Sequence, residues 1–163
     1  MEAAIANALE KRGSAKVILS GGEQDRSITQ TVLDSIPAVG WSARSFNHGL
    51  GQEAQIPDPE TIEALRTAPP GAPFTDCLDL RVYGTAQGLL VEASPKSHRP
   101  AHKGDVLLTV TSPAFNAKED EGLLFLSMSP LGRLTGARVI LVLVRRSASG
   151  AWAVADQFLA GMG

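Results

Sequence analysis

Cysteine is nearly absent: Cys77 is the only one in 163 residues. No internal disulfide can form, so a reducing compartment, the cytoplasm, is the expected location. Aromatic residues are scarce at 5%, and the core must therefore be built from Leu, Val, Ile and Ala. No apolar run approaches the roughly 20 residues of a membrane span, so none is expected. The first residues, MEAAIANALEK, lack the basic start and apolar block of a secretory leader. Net charge is small as well. At −2 it gives no global attraction to nucleic acid or acidic membranes.

What is present belongs to a globular protein. Hydrophobic residues make up 44% and charged residues 20%, which excludes a disordered chain. The length fits a single domain over 1–163, with a helix-rich part, 1–71, and a β-rich part, 72–163. Charge divides unevenly between them. Residues 1–71 carry 6 Lys and Arg against 9 Asp and Glu, and residues 72–163 carry 9 against 8.

The most emphatic stretch is 136–146, GARVILVLVRR. Val139, Leu141 and Leu143 point to one face of a strand, and Ile140, Val142 and Val144 to the other. Apolar residues on both faces predict a central strand covered on two sides. A Ser-Ala-Ser-Gly turn at 147–150 leads to a second strand over 151–158. Period-two alternation begins after Pro73 and predicts four further strands, at 78–83, 89–93, 106–110 and 123–128. Six strands with short loops make a largely antiparallel meander or sandwich.

The first part reads differently. A helix is expected over 2–12, a strand over 15–19 broken by Ser20, Gly21 and Gly22, and a short strand over 39–46 anchored by Trp41. Residues 25–36 have Ile28, Val32 and Ile36 at helical spacing but are rich in β-branched residues. Helix is preferred there; a strand would move the whole chain toward an all-β sandwich. Asp58-Pro59-Glu60 starts a helix by rule, with Ile62 and Leu65 facing inward. It ends at a proline-rich segment, 68–73, the best candidate boundary. The expected class is α+β.

Few motifs carry chemistry. Residues 19–26, LSGGEQDR, resemble the signature motif of ABC-transporter ATPases. In that family the serine and glycines precede a helix whose N-terminus faces a nucleotide phosphate. The resemblance covers eight residues; the chain has no GxxxxGK[ST] loop and no apolar strand ending in paired acids. ATP hydrolysis is not expected, and no family is recognised over the chain. What survives is a plain turn at Ser20, Gly21 and Gly22 or, as the alternative, a local anion site there through outward-pointing backbone N–H groups.

The loop 96–103, KSHRPAHK, concentrates Lys96, Arg99 and Lys103. Together with Arg145 and Arg146 it offers a basic face for phosphates or an acidic partner. His98 and His102 stand four apart, but Pro100 intervenes and no third ligand follows, so no metal is expected. Cys77 with His48, His98 or His102 lacks any signature of a cysteine nucleophile, and packing is its expected role. Glu119, Asp120 and Glu121 form an acidic loop able to meet the basic one across a subunit contact.

No coherent catalytic set is present and no cofactor is implied. The expected function is therefore a non-enzymatic structural or interaction protein of the capsid, matrix, scaffold or adaptor kind. It would act through charged loops on a β-rich body, with a second copy or another protein as partner. The alternative is a binding module for an anion, nucleotide or nucleic acid, using the Ser20–Gly22 turn or the 96–103 loop.

Overall fold

The computed structural model describes residues 17–21, 30–34, 40–68, 90–92, 106–111, 113–130 and 138–162. The strands are β1 (Val17–Gly21), β2 (Leu90–Glu92), β3 (Val106–Val110), β4 (Ala114–Phe115), β5 (Glu121–Pro130), β6 (Arg138–Arg146) and β7 (Trp152–Met162). They form one sheet in the order β2-β1-β3-β5-β6-β7, with β4 paired to β5 off this path. Among the described residues three short helices of four residues or more accompany them with defined ends: α1 (Trp41–Arg44), α2 (Phe46–Gly49) and α3 (Pro59–Thr67). Residues 30–34 are also helical. The class is α+β with strand predominating.

β6 is an inner strand buried on both faces, but it lies next to the end of the described strand order and not at the centre of the sheet. It lies between β5 and β7, antiparallel to both, and Ile140, Leu141, Val142, Leu143 and Val144 are all buried. Register sorts the two faces. Leu123 lies opposite Leu143 and Phe125 opposite Leu141 on β5, while Phe158 lies opposite Leu141 on β7. These residues make a core with Val32, Leu33 and Leu65, bordered by Trp41 and Ile62. The other face carries Leu124, Leu126, Ile140, Val142 and Val144, also buried. Leu126 there faces Val110 of β3. Full burial of such a side chain is worth about 1.5–3 kcal/mol, so leucines and valines supply most of a core that holds few rings.

α3 forms as its cap residues dictate. The Asp58 carboxylate accepts from Glu60 N at 2.9 Å, and Pro59 occupies the first turn, where no N–H is needed. Leu65 and Thr61 are fully buried. Residues 30–34 are helical as preferred, with Val32 and Leu33 turned into the core.

Three expectations need correction. The predicted strand at 39–46 is instead two single helical turns, α1 and α2, separated by Ser45 in an extended conformation. The Ser45 hydroxyl accepts from His48 N at 3.1 Å and caps α2, so a local cap overrides the β-favouring Val and Trp. Ser20 and Gly21 belong to β1 rather than to a turn, pairing with Thr109 and Val110. Lastly, β1 sits between β2 and β3 and runs parallel to both. The sheet is mixed, and the first part of the chain supplies one of its inner strands. Parallel neighbours need a long crossover, and α1 to α3 lie on the one between β1 and β2.

The succession β3-β5-β6-β7 is antiparallel throughout, and β4 adds a two-residue strand where a loop was expected. Phe115 of β4 lies across Gly122, where a Cβ would fall 2.8 Å from its ring, and meets Trp152 with ring centroids 5.2 Å apart. The helix expected at 2–12, the strand at 78–83 and all of the boundary at 68–73 except Ala68 lie outside the described residues.

Urea denaturation tests the core assignment. Leu141→Ala, at a site with no exposed surface, should cost about 2–5 kcal/mol. Leu50→Ala, 75% exposed on the loop after α2, should stay within about 0.5 kcal/mol.

Candidate functional site

The richest polar cluster joins the segment 45–61 to the end of the sheet where β5 begins and β6 ends. Two buried carboxylates organise it. Asp156 lies on β7 opposite Leu143, on the face that carries the core, and is 1% exposed. Its Oδ2 accepts from Ser45 Oγ at 2.6 Å and Gln55 N at 2.9 Å. Its Oδ1 accepts from Gln157 N at 2.7 Å and, at a longer 3.4 Å, from Asn47 N. A carboxylate is acceptor-only with room for about four donors, and four are supplied. A charge taken out of water is tolerable only when bonded in this way.

Glu121 is the second. It faces Arg145 across β5 and β6, and Arg145 Nε donates to its Oε2 at 2.7 Å. Oε1 accepts from Asp58 N at 2.6 Å and Thr61 Oγ1 at 2.8 Å. A carboxylate from the sheet thus sits at the N-terminus of α3, where unpaired N–H groups and the helix dipole favour negative charge. Arg145 donates further to Gln55 Oε1 at 2.8 Å and Ile56 O at 2.9 Å. Gln55 therefore touches both centres: its backbone N–H reaches Asp156 and its side chain accepts from Arg145.

The hairpin turn before β5 is fixed separately. Asn116 Oδ1 accepts from Asp120 N and Glu121 N, and its Nδ2 donates to Asp120 Oδ1 at 2.7 Å. Glu119 takes a left-handed φ of 53° there. Arg146 N donates to Asp120 O at 2.8 Å, tying this turn to the end of β6.

The residues singled out from sequence are not gathered into one place. Arg145 and Glu121 meet within the chain, where the expectation put acidic and basic loops across a subunit contact. Both oxygens of Glu121 are engaged internally. Glu119 and Asp120 remain exposed, as does Arg146, whose Nε donates to Gly150 O at 3.2 Å. Ser20 and Gly21 end β1, far along the strand order from β6. Gly22, Lys96, Arg99 and Lys103 lie outside the described residues, with Cys77, His98 and His102. Sequence reading missed Asp156. Its signal was there, an acid two positions before Phe158 on one strand face, in an otherwise apolar period.

Chemically this cluster is a latch. Among the described residues, no buried side-chain nitrogen or oxygen is without a hydrogen-bond partner, and the carboxylates of Asp156 and Glu121 accept four and three bonds from the chain itself. No three His, Cys, Asp or Glu side chains among those residues come together as a metal-binding group. No described helix is long and apolar enough to cross a membrane. Comparison with known families, curated proteins and solved structures finds no match.

Asp156→Ala strands the donors of Ser45, Gln55 and Gln157, and should lower stability by about 3 kcal/mol or more. Amide exchange at Gln55 should accelerate with it. Asp120→Ala, exposed and bonded to Asn116 alone among side chains, should cost less than about 1 kcal/mol in the same measurement.

Proposed function

We propose that the chain is a non-enzymatic structural or interaction protein that presents charged loops from a β-rich body, to a second copy of itself or to another protein. One observation carries this reading. Among the described residues the buried polar groups are engaged in holding the fold, whereas Lys118, Glu119, Asp120 and Arg146 face solvent at two hairpin turns tied together at one end of the sheet. Mixed charges on a rigid base set the register of a contact more than its affinity. The reading is tested by light scattering over a range of concentrations. The mass should rise with concentration, and Glu119→Lys/Asp120→Lys should weaken association about tenfold at low salt. A concentration-independent monomer, with no partner captured through these loops, overturns it.

A second reading, a binding module for an anion or nucleotide, has its own support. Ser20 and Gly21 lie at the C-terminal end of β1, which has a parallel neighbour on each side. The ends of parallel strands are where open sheets place phosphate-bearing ligands. A thermal-shift series with phosphate, nucleotides and short nucleic acids separates the readings. Stabilisation that disappears in Ser20→Ala favours the module, and no shift across the series removes it.

A further inference from the structure

β7 ends the described strand order: one of its edges pairs with β6, and the other has no neighbouring strand among the described residues. A long strand edge whose N–H and C=O groups face no ladder partner is a template for adding another chain, and β7 is 11 residues long. Here it is covered by the segment 41–49. Asn47 Nδ2 donates to Ala155 O at 2.9 Å, and Arg44 Nη1 to Leu159 O at 3.2 Å and Ala160 O at 3.5 Å. Ser45 makes one antiparallel bridge to Phe158. The Asp156 carboxylate takes the N–H of Gln157. Across 155–160, side chains and a single bridge occupy positions that a further strand would otherwise fill.

The cover is held from both sides. Trp41 meets Phe158 edge-on with centroids 4.9 Å apart, and Ser45, Asn47 and Gln55 all bond to Asp156. α1 and α2 are single turns of four residues each, too short to be stable by themselves. Their conformation depends on β7 as much as the edge depends on them.

The geometry points to an edge guard: residues 41–49 withhold the outer edge of β7 from strand addition by a second copy of this chain. Arg44 and Asn47 are its working groups, and Asp156 is its anchor. This goes beyond assembly through the charged loops and does not rest on it, since those loops lie on the hairpin turns and not along β7.

The test is the double variant Arg44→Ala/Asn47→Ala in the full chain, which removes the three side-chain bonds to β7 carbonyls and leaves the Asp156 anchor. Light scattering should show a mass about twofold above the parent at the same concentration, whatever the parent's own state. Amide exchange over 155–160 should slow on association relative to the diluted variant. A folded variant with the parent's mass at every concentration overturns the guard. So does a rise in mass that leaves exchange over 155–160 unchanged, because the new contact then lies elsewhere. Should the double variant fail to fold, Arg44→Ala alone carries the same outcomes, since it frees Leu159 and Ala160 at a part-buried position.

Discussion

Asp156 is the group on which the path of residues 45–55 depends. An apolar strand that includes a buried carboxylate must bring donors to it, and here they come from Ser45, Asn47, Gln55 and the next residue on β7. An unmet buried charge costs several kcal/mol, so the path of 45–55 has little freedom once β7 is in place. The constraint propagates. Gln55, positioned by its own N–H, accepts from Arg145; Arg145 holds Glu121; Glu121 binds the N-terminus of α3. α3 in turn sets Leu65 into the core. A chain of polar contacts thereby decides where an apolar helix face lands.

The apolar part of the fold solves a different problem. With few aromatics, no single side chain fills much of the interior, and the core is made by repetition along strands. Leu123, Phe125, Leu141 and Leu143 on one face and Leu124, Leu126, Ile140 and Val142 on the other are set by register alone. A one-residue slip of β5 against β6 would invert both sets. Because both faces are apolar, hydrophobic pattern by itself distinguishes such slips poorly in the middle of this pair. The cross-strand contact of Glu121 with Arg145 at its end does distinguish them, since a slipped pair would leave a buried carboxylate without its arginine. The polar latch thus supplies the register information that a doubly apolar strand lacks.

This division explains what could be read from the sequence. β3, β5, β6 and β7 were visible because period two over five or more residues is a long signal, and α3 because Asp58, Pro59 and Leu65 each act locally. Strand ends were less visible. β5 and β7 extend past 128 and 158, where Ser129 and Gly161 interrupt the apolar alternation while the ladder continues. The 39–46 segment misled because Trp41 is an anchor for Phe158 and not a strand residue, a fact that depends on β7. The position of β1 between β2 and β3 was invisible for the same reason: parallel pairing joins residues about seventy or more apart with no turn to announce it. For the latch, Glu121 and Arg145 were noticed as charges, but their pairing is set by the register of β5 on β6. Asp156 could have been flagged from its place among apolar neighbours.

The same geometry narrows what the charged surface can do. A sheet that ends in a long strand has two ways to meet another protein, by extending its ladder or by contacts of side chains on loops. Arg44 and Asn47 occupy the ladder positions of β7 from 155 to 160, and main-chain extension there requires their removal. Contacts made by the hairpin turns need no such opening. Glu119, Asp120 and Arg146 are exposed on turns whose backbones are already bonded to one another through Arg146 N and Asp120 O, so little conformational entropy is lost when a partner binds them. The interaction proposed for these turns would consequently be the low-cost mode, sensitive to salt because its groups are solvated. Strand addition is the mode the fold holds back, and the two are separable because they use different residues at different places on the sheet.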